Sequence, residues 1–354
     1  MATAEGGWIS DVRTTLRNSE TDFFQHRIAR YWIDFLLSAV LAFSAATVFL
    51  SWPILSWPQI VAFPLAVFWL YRLGSLVHEV AHLSQKEMRL YKVAWNLVAG
   101  VTMLTPSPFF TTHHRDHHSQ RLYGTPQDPE YVVNVCPPGS FLGILLYLVM
   151  VLLFPLIVFL RFFLSPLTFL HPRLREWTLT HASSLTLNWR YVRRITPEDR
   201  RNITMVELLC WSRTCGMLGF VLLGFTPWTR LGLLYFLGAS TFLFNQMRQL
   251  ADHHFESDGE QLDFDAHIMD SCNYTSRDFF TWLFFPFSIR YHALHHIFPS
   301  LPYHNLRAAH EYLIQHLPED SPYRTLDQPG WLPIASKIFH RREPQLQLEA
   351  KKAA

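Results

Sequence analysis

Eleven of the nineteen histidines in this chain fall into four short groups whose spacing suits metal binding. The groups are His78 and His82; His113, His114, His117 and His118; His253 and His254; and His292, His295 and His296. In the last group the offsets i, i+3 and i+4 place three imidazoles on one face of a helix. Neutral imidazole is the commonest protein ligand for transition metals. The sequence therefore predicts a metal site, and the rest of the chain must bring these groups together.

The number of histidines bears on which metal is bound. Eleven are too many for one tetrahedral zinc ion, which takes four ligands, whereas two ions with four or five nitrogens each use most of them. The segment from His78 to His82 also fits the H-E-x-x-H pattern of zinc proteases, with Glu79 as the general base. Three further histidine groups have no role in such a protease. Iron, which activates dioxygen, fits better at the end of a bundle that contacts lipid.

Composition indicates that the elements carrying these groups lie in a membrane. Charged residues make up 16% of the 354 residues, against about 25% in ordinary soluble proteins. The net charge of +2 is too small to predict a nucleic-acid partner. The four cysteines are scattered without a CxxC pair, so we expect neither a disulfide framework nor a zinc ribbon.

Long apolar runs predict two transmembrane helical hairpins in an all-α integral membrane protein. Each of the four runs is close to the ~20 residues that span a bilayer. The predicted spans are residues 31–50, 59–77, 205–225 and 231–250. The turn at 51–58 contains two prolines and two tryptophans, a composition typical of a membrane interface. A cytoplasmic segment (1–30) precedes this single domain (31–317), and a polar, loosely ordered tail (318–354) follows it.

Charge predicts the orientation. Seven arginines lie between residues 171 and 201 and four more lie in the first thirty residues, which places these regions, both termini and the histidine groups in the cytoplasm. If all groups share one site, the chain crosses the membrane an even number of times between them. We therefore expect residues 90–110 to lie along the interface, and residues 141–170 to be re-entrant or in-plane, broken at Pro155 and Pro166.

The order and spacing of the histidine groups resemble the three histidine boxes of the membrane fatty acid desaturase and hydroxylase superfamily. The boxes are His78-x3-His82, His114-x2-His117-His118 and His292-x2-His295-His296. The resemblance covers roughly residues 30–315. It implies a cytoplasmic cap in which the boxes hold two non-haem iron ions, with a further histidine ligand after the last span, His253 or His254. Gln249 is a further candidate to bind the metal, either directly or through a water molecule.

The second box has two registers. Read from His114 it has the spacing of desaturases, and read from His113 it has that of alkane hydroxylase-like relatives. We favour His114 and His253 as ligands, with His113 and His254 in supporting or solvent-facing positions.

Acidic residues near the boxes are candidates to orient the ligands, because a metal-bound histidine usually donates its other N–H to a carboxylate or carbonyl. The foremost are Asp116, Asp252 and Asp270, with Asp263, Asp265 and Glu311 as further candidates. Four arginines next to the boxes are candidates to bind a substrate carboxylate or headgroup: Arg115, Arg121, Arg248 and Arg290.

The resemblance implies oxygen-dependent oxidation of an unactivated C–H bond on a long-chain fatty acid or fatty-acyl group. Desaturation to an alkene ranks first, oxidative decarboxylation of free fatty acids to terminal 1-alkenes second and hydroxylation third. Electrons must come from an external donor of the ferredoxin, rubredoxin or cytochrome type, since the sequence has no haem-binding His-Pro-Gly-Gly or iron–sulfur cysteine pattern. A bacterial inner-membrane location is expected. A metal transporter is disfavoured, because the span interiors are nearly free of charge.

Overall fold

The structure, a computed structural model, describes residues 7–84 and 86–340. The expectations for residues 1–6 and 341–354 lie outside this range. The chain divides into two compact units. The span unit comprises Ile28–Arg115 and Leu148–Asn245, and the histidine unit comprises Met1–Arg27, Asp116–Tyr147 and Gln246–Ala354.

The fold is mostly helical, as the sequence predicts. The α-helices, in chain order, are α1 (Gly7–Arg17), α2 (Ile28–Ser51), α3 (Trp57–His82), α4 (Arg89–Trp95), α5 (Thr111–His117), α6 (Phe141–Phe163), α7 (Pro172–His181), α8 (Pro197–Leu222), α9 (Trp228–Gln249), α10 (Phe264–Met269), α11 (Phe279–Phe284), α12 (His292–Ile297), α13 (Tyr303–His316) and α14 (Trp331–Ala335). Two short strands, β1 (Asn273–Tyr274) and β2 (Asp327–Gln328), pair in parallel. A π-helix covers Asn96–Val101, and short 3-10 turns cover Ser107–Phe109, Val132–Asn134, Ser165–Leu170, Pro286–Ser288, Pro322–Leu326 and Ser336–Phe339.

Four of the described helices, α2, α3, α6 and α8, are long and apolar enough to cross a membrane. Three of them correspond to predicted spans. The expectation for residues 141–170 is wrong in one respect: α6 runs unbroken through Pro155 for 23 residues with a mean hydropathy of 2.9. Apolar membrane helices tolerate an internal proline, because other groups can satisfy the backbone carbonyl that proline leaves without a donor. The break comes only at the 3-10 turn that contains Pro166.

Helix α9, predicted as a span at 231–250, has 22 residues but is not among these four helices. Polar side chains near its end, from Asn245 to Arg248, lower its hydropathy. Residues 90–110, expected along the interface, contain most of α4, the π-helix that follows it, a left-handed residue, Leu104 (φ 59°), and the 3-10 turn at Ser107–Phe109.

Helices α2 and α3 form the first predicted hairpin. Gln59 closes its turn: the side-chain amide donates to the Phe49 carbonyl at 3.0 Å and its oxygen accepts from the Leu55 N–H at 2.7 Å. Farther along, the Arg72 guanidinium donates to the buried Asp34 carboxylate at 3.1 Å. An ion pair between helices at this depth fixes their register, because neither charge is stable there alone. The hairpin thus sets the position of the first histidine box at the end of α3.

The other helices of the span unit pack around a second buried ion cluster. Glu207 of α8 accepts from Arg161 of α6 and from Arg175 of α7, the latter at 2.7 Å. Phe109 and Phe162 belong to the apolar cluster beside these groups, with ring centroids 5.0 Å apart. This cluster anchors the chain that leads into helix α5, which carries the second box.

The histidine unit is built mostly from short elements. Helix α1 buries Ile9, Val12 and Leu16, and the Asn305 side chain of α13 donates to the Phe23 carbonyl at 2.7 Å. The expectation of a loosely ordered tail from residue 318 does not hold for residues 318–340. That part contains strand β2 and helix α14, and Tyr323 is fully buried.

Candidate metal centre

Four histidines of the histidine unit converge on one point. The His253 Nε2 atom lies 3.1 Å from Nε2 of His117 and 3.1 Å from Nε2 of His292, and the His292 Nε2 lies 3.0 Å from that of His296. The ligand atoms of all four lie within 4.8 Å of one another, and each side chain is at most 3% exposed. Buried polar atoms crowded in this way have no good hydrogen-bonding arrangement among themselves, which points to an ion between them.

Short backbone ladders bring these histidines together. The His254 N–H donates to the Asp270 carbonyl at 2.7 Å, which seats His253 in an antiparallel bridge with Ser271. The Ala293 N–H donates to the Cys272 carbonyl at 3.1 Å, which places helix α12 on the same segment. Residues 270–273 therefore join two histidine groups that are far apart in sequence.

The donor set fits a transition metal. Four nitrogens bound at ~2.1 Å to a tetrahedral ion stand roughly 3.4 Å apart, close to the separations seen here. Burial and the neighbouring histidines lower the pKa of His253 and of His296 well below the usual value, which keeps both rings neutral. Neutral imidazole is the form that binds metal, and it suits iron, zinc and copper.

Asp128 orients the first of the four ligands. The His117 Nδ1–H donates to the buried Asp128 carboxylate at 2.8 Å, which directs Nε2 to the centre of the cluster. Burial alone would lower the pKa of His117, but Asp128 raises it to about 9. The loop that holds Asp128 depends on Gly124, whose N–H donates to that carboxylate at 2.9 Å. Gly124 has a φ of +72°, and a Cβ there would come within 2.9 Å of Ser257.

A chain of hydroxyls orients the second ligand. The His253 Nδ1–H donates to the Tyr123 hydroxyl at 2.7 Å, which in turn donates to Asp270 at 2.8 Å. Tyr131 donates to the same carboxylate at 2.8 Å. Burial raises the pKa of both Tyr123 and Asp270. Asp270, a sequence candidate for orienting a ligand, thus acts on His253 through a tyrosine.

His267 is a supporting residue that the sequence analysis missed. It is fully buried, its ring stacks on Tyr123 with centroids 3.6 Å apart, and its Nε2 accepts from the His296 Nδ1–H at 2.8 Å. Burial lowers the pKa of His267 well below the usual value, so its ring is neutral. A single histidine outside the boxes gives no sequence signal for this position.

The remaining box histidines of this unit, His118 and His295, also lie close together. Their ring centroids are 4.8 Å apart in an edge-to-face arrangement, and their ligand atoms lie within 4.8 Å of each other. His118 follows the end of α5 and His295 lies on α12.

The span unit contains its own histidine cluster. His78, His82 and His114 have ligand atoms within 4.8 Å of one another, and the Nε2 atoms of His82 and His114 are 2.9 Å apart. His78 and His82 lie four residues apart on α3, so the continuous helix sets their relative position. The His78 Nδ1 lies 3.3 Å from Glu79, whose carboxylate also accepts from Tyr31 at 3.2 Å.

The structure places the alternative histidines differently. His113 is buried with its Nδ1 3.0 Å from the Phe109 carbonyl. His254 faces away from the four-histidine cluster, with its Nδ1 2.9 Å from Lys337 Nζ and its Nε2 3.7 Å from Cys272 Sγ. Gln249 is half-buried at the end of α9, and its backbone carbonyl accepts a hydrogen bond from the Asp252 N–H at 3.5 Å.

Most of the other predicted acidic residues serve local structure. Asp252 pairs with Arg248 at 2.5 Å, and Asp116 lies 3.8 Å from Arg121. Asp263 caps α10 through the Ala266 N–H. The outer candidates also have partners elsewhere: Asp265 accepts from Trp8 and Glu311 pairs with Arg307.

The predicted carboxylate-binding arginines also contact protein groups. Arg115 donates twice to the Ala81 carbonyl, at 2.8 and 3.1 Å, and Arg290 donates to the Ser276 carbonyl at 3.2 Å. Arg248 and Arg121 face the acidic residues named above. None of these contacts favours a free-acid substrate.

These features define a helical membrane protein with buried histidine clusters suited to metal. The sequence model of the fatty acid desaturase family matches residues 54–327, and the chain belongs to this family. It is similar to a ceramide hydroxylase of Caulobacter vibrioides (strain NA1000 / CB15N), with 34% identity over 347 residues that cover 97% of each chain. No solved structure matches it. The chain is therefore an oxidoreductase of the desaturase and hydroxylase superfamily.

Proposed function

We propose that this protein is an iron-dependent hydroxylase that acts on the alkyl chain of a ceramide-like membrane lipid. The observation that carries the proposal is the similarity to a ceramide hydroxylase along nearly the whole of both chains. This moves hydroxylation from third place in the order expected from the sequence to first. Desaturation, which ranks first there, becomes the second candidate, because the matching family model is that of fatty acid desaturases. Decarboxylation to a 1-alkene has no support from the arginines or from the relatives.

We assign two iron ions to the histidine boxes. The first would be held by His117, His253, His292 and His296, whose geometry supports it most directly. For the second, the box pattern of the family supplies the other five box histidines: His78, His82, His114, His118 and His295. Bound iron supplies the activation of dioxygen that oxidation of an unactivated C–H bond requires.

The chain's own residues prepare the site for this chemistry. Asp128, Tyr123 and His267 each accept an Nδ1–H from one ligand, so that the Nε2 lone pair of that ligand faces the ion. Burial of the cluster excludes water from the reacting atoms. The membrane spans deliver a lipid substrate from the bilayer, and the protein fixes which carbon is oxidised.

Orientation and electron supply belong to the same proposal. We place the boxes on the cytoplasmic side of a bacterial inner membrane, following the arginine-rich loop at 171–204. Five arginines of this loop and the start of α8 are exposed: Arg173, Arg190, Arg194, Arg200 and Arg201. Such a surface suits an acidic electron donor of the ferredoxin, rubredoxin or cytochrome type.

Product analysis tests the proposal. The purified protein would receive ferrous iron, dioxygen and a reducing system, with a ceramide, an acyl thioester or a free fatty acid as substrate. Mass spectrometry of the ceramide product should show one added oxygen atom. Loss of two hydrogens instead identifies a desaturase, and a chain shortened by one carbon identifies a decarboxylase. Turnover of the thioester but not the ceramide would refute the substrate assignment.

A further inference from the structure

Helix α8 carries a charged residue, Arg213, within its membrane-spanning sequence. Arg213 lies nine residues before the helix ends at Leu222, a distance of ~14 Å at 1.5 Å per residue. Throughout residues 7–84 and 86–340 its guanidinium finds no hydrogen bond and no ion pair. Two other arginines of spanning helices in this unit do have acidic partners: Arg161 pairs with Glu207 and Arg72 pairs with Asp34. An unpaired charge in the membrane is costly, so a partner from outside the described chain is expected.

Arg213 lines an open cavity of about 380 Å³ on the surface of the span unit. The lining residues are Ser212, Arg213, Gly216, Met217, Phe220 and Thr226. A Cβ added at Gly216 or at Gly219 would meet nothing within 4 Å, so none of the helices that the structure describes covers this side of α8. The volume falls in the range of sites that bind small molecules, roughly 300–1,000 Å³.

The lining has two chemically distinct parts. The Arg213 guanidinium and the hydroxyls of Ser212 and Thr226 are hydrogen-bond donors, a set that suits the oxygens of a phosphate. Met217 and Phe220 offer an apolar surface of the kind that an acyl chain covers. The occupant that matches both parts is amphipathic, with an anionic head and an alkyl chain.

The position of the cavity along the helix agrees with this occupant. Thr226 belongs to the turn between α8 and α9, so the cavity extends from the interior of the span to its end. Trp228 follows this turn and is 62% exposed, as is typical of tryptophans at the headgroup level of a bilayer. An arginine below that level extends its side chain toward the interface, where phosphates lie.

We propose that this cavity binds an anionic phospholipid of the surrounding membrane, with Arg213 contacting its phosphodiester. The site is separate from the histidine clusters and does not depend on the proposed reaction. A second copy of the chain is a poorer occupant, because a two-fold contact along α8 would bring one Arg213 close to the other.

The experiment uses the full-length protein in nanodiscs of equal parts phosphatidylglycerol and phosphatidylcholine, analysed by native mass spectrometry. We expect the wild-type protein to retain phosphatidylglycerol selectively. Arg213→Gln should lower retention about tenfold, because a charge-assisted hydrogen bond is lost. Gly216→Leu should also lower it by filling the cavity while leaving the arginine in place. Arg230→Gln is the matched control, since it removes a charge near the same turn but outside the cavity, and should retain lipid as the wild type does.

The other outcomes overturn the proposal. Equal retention by Arg213→Gln and the wild type would show that the guanidinium does not bind the lipid. Equal retention of the two lipids would show that the cavity does not select a lipid with a net negative charge, which contradicts an anionic occupant. Displacement of the lipid by inorganic phosphate would mean that a free anion is the ligand. A wild-type dimer that Arg213→Gln dissociates, with no lipid retained, would identify a second copy as the occupant.

Discussion

The two histidine clusters differ in what holds their ligands in place. In the span unit, His78 and His82 are one helical turn apart on α3, so a continuous helix of 26 residues sets their separation. In the histidine unit, His117, His253 and His292 come from three distant segments. Their orientation depends on Asp128, on Tyr123 and on the ladder at residues 270–273. A cluster built from long-range contacts needs supporting hydrogen bonds in a way that two residues on one helix do not.

This difference also separates the effects expected of mutations. A change to a ligand should be equally severe in either cluster, because each ligand is part of a metal's coordination. A change to a supporting residue should be more severe in the histidine unit.

Loss of a ligand should have the largest effect. We expect His292→Ala and His82→Ala each to reduce product to background and to lower the iron content from about two ions per chain toward one, since each disrupts one cluster. His118→Ala and His295→Ala should be equally inactive. His340→Ala, at an exposed histidine, is the control and should keep full activity. Metal analysis and product yield measure this; a single zinc ion without iron would contradict the di-iron assignment.

Asp128→Asn should have the next largest effect. The amide cannot accept the His117 Nδ1–H as well as a carboxylate does, so iron affinity or activity should fall about 10–100-fold. Titration with ferrous iron under anaerobic conditions measures the affinity. Asp116→Asn is the matched control, because it makes the same change in a carboxylate of the second box, one that lies 3.8 Å from Arg121. Equal iron affinities in the two variants would show that Asp128 does not orient His117 for metal binding.

His267→Phe tests the residue that supports His296. Phenylalanine keeps the stacking on Tyr123 but removes the acceptor for the His296 Nδ1–H, so we expect iron affinity to fall by about tenfold. The spectroscopic signature of the bound metal should shift, which a role in packing alone would not cause. His267→Gln, which restores an acceptor, should recover part of the affinity. If the bound metal in His267→Phe has the same spectrum as in the wild type, His267 serves only in packing and does not orient His296.

Glu79→Gln, which alters the carboxylate beside the span-unit cluster, should cause the smallest loss of iron affinity. Glu79 lies 3.3 Å from His78, but helix α3 holds the box in place without it. We expect less than about a tenfold loss of iron affinity, below that of Asp128→Asn. Tyr31→Phe, which removes only the hydroxyl that donates to Glu79, should lie close to the wild type. A loss as large as that of Asp128→Asn would show that both clusters depend equally on supporting carboxylates.

The sequence predicts the family and most of the helical architecture. Box spacing needs only helical periodicity to place His78 with His82, or His292 with His295 and His296. Apolar length alone predicts the first hairpin, whose observed helices are Ile28–Ser51 and Trp57–His82. The predicted break at Pro155 is wrong, because a proline in an apolar helix has the same sequence signature whether the helix breaks or continues.

The supporting contacts were beyond the sequence because they join residues that are far apart along the chain. His267 meets His296 across 29 positions, and Tyr123 meets His253 across 130. Neither His267 nor Tyr123 lies in a histidine box, and the sequence spacing of these two residues does not mark them as part of the site. Asp270 was proposed from its neighbourhood, yet the tyrosine between it and His253 emerges only from the fold.

The sequence by itself determined that this is a membrane enzyme with histidine boxes, because spacing and hydropathy are local properties of the chain. Only the tertiary structure decided which nitrogens converge, which proton each ligand donates and to which acceptor. Those depend on the loops and ladders that bring His117, His253 and His292 to one point. Arg213 is a similar case: the sequence shows a charge in an apolar helix, and the fold shows that the charge lines an open cavity.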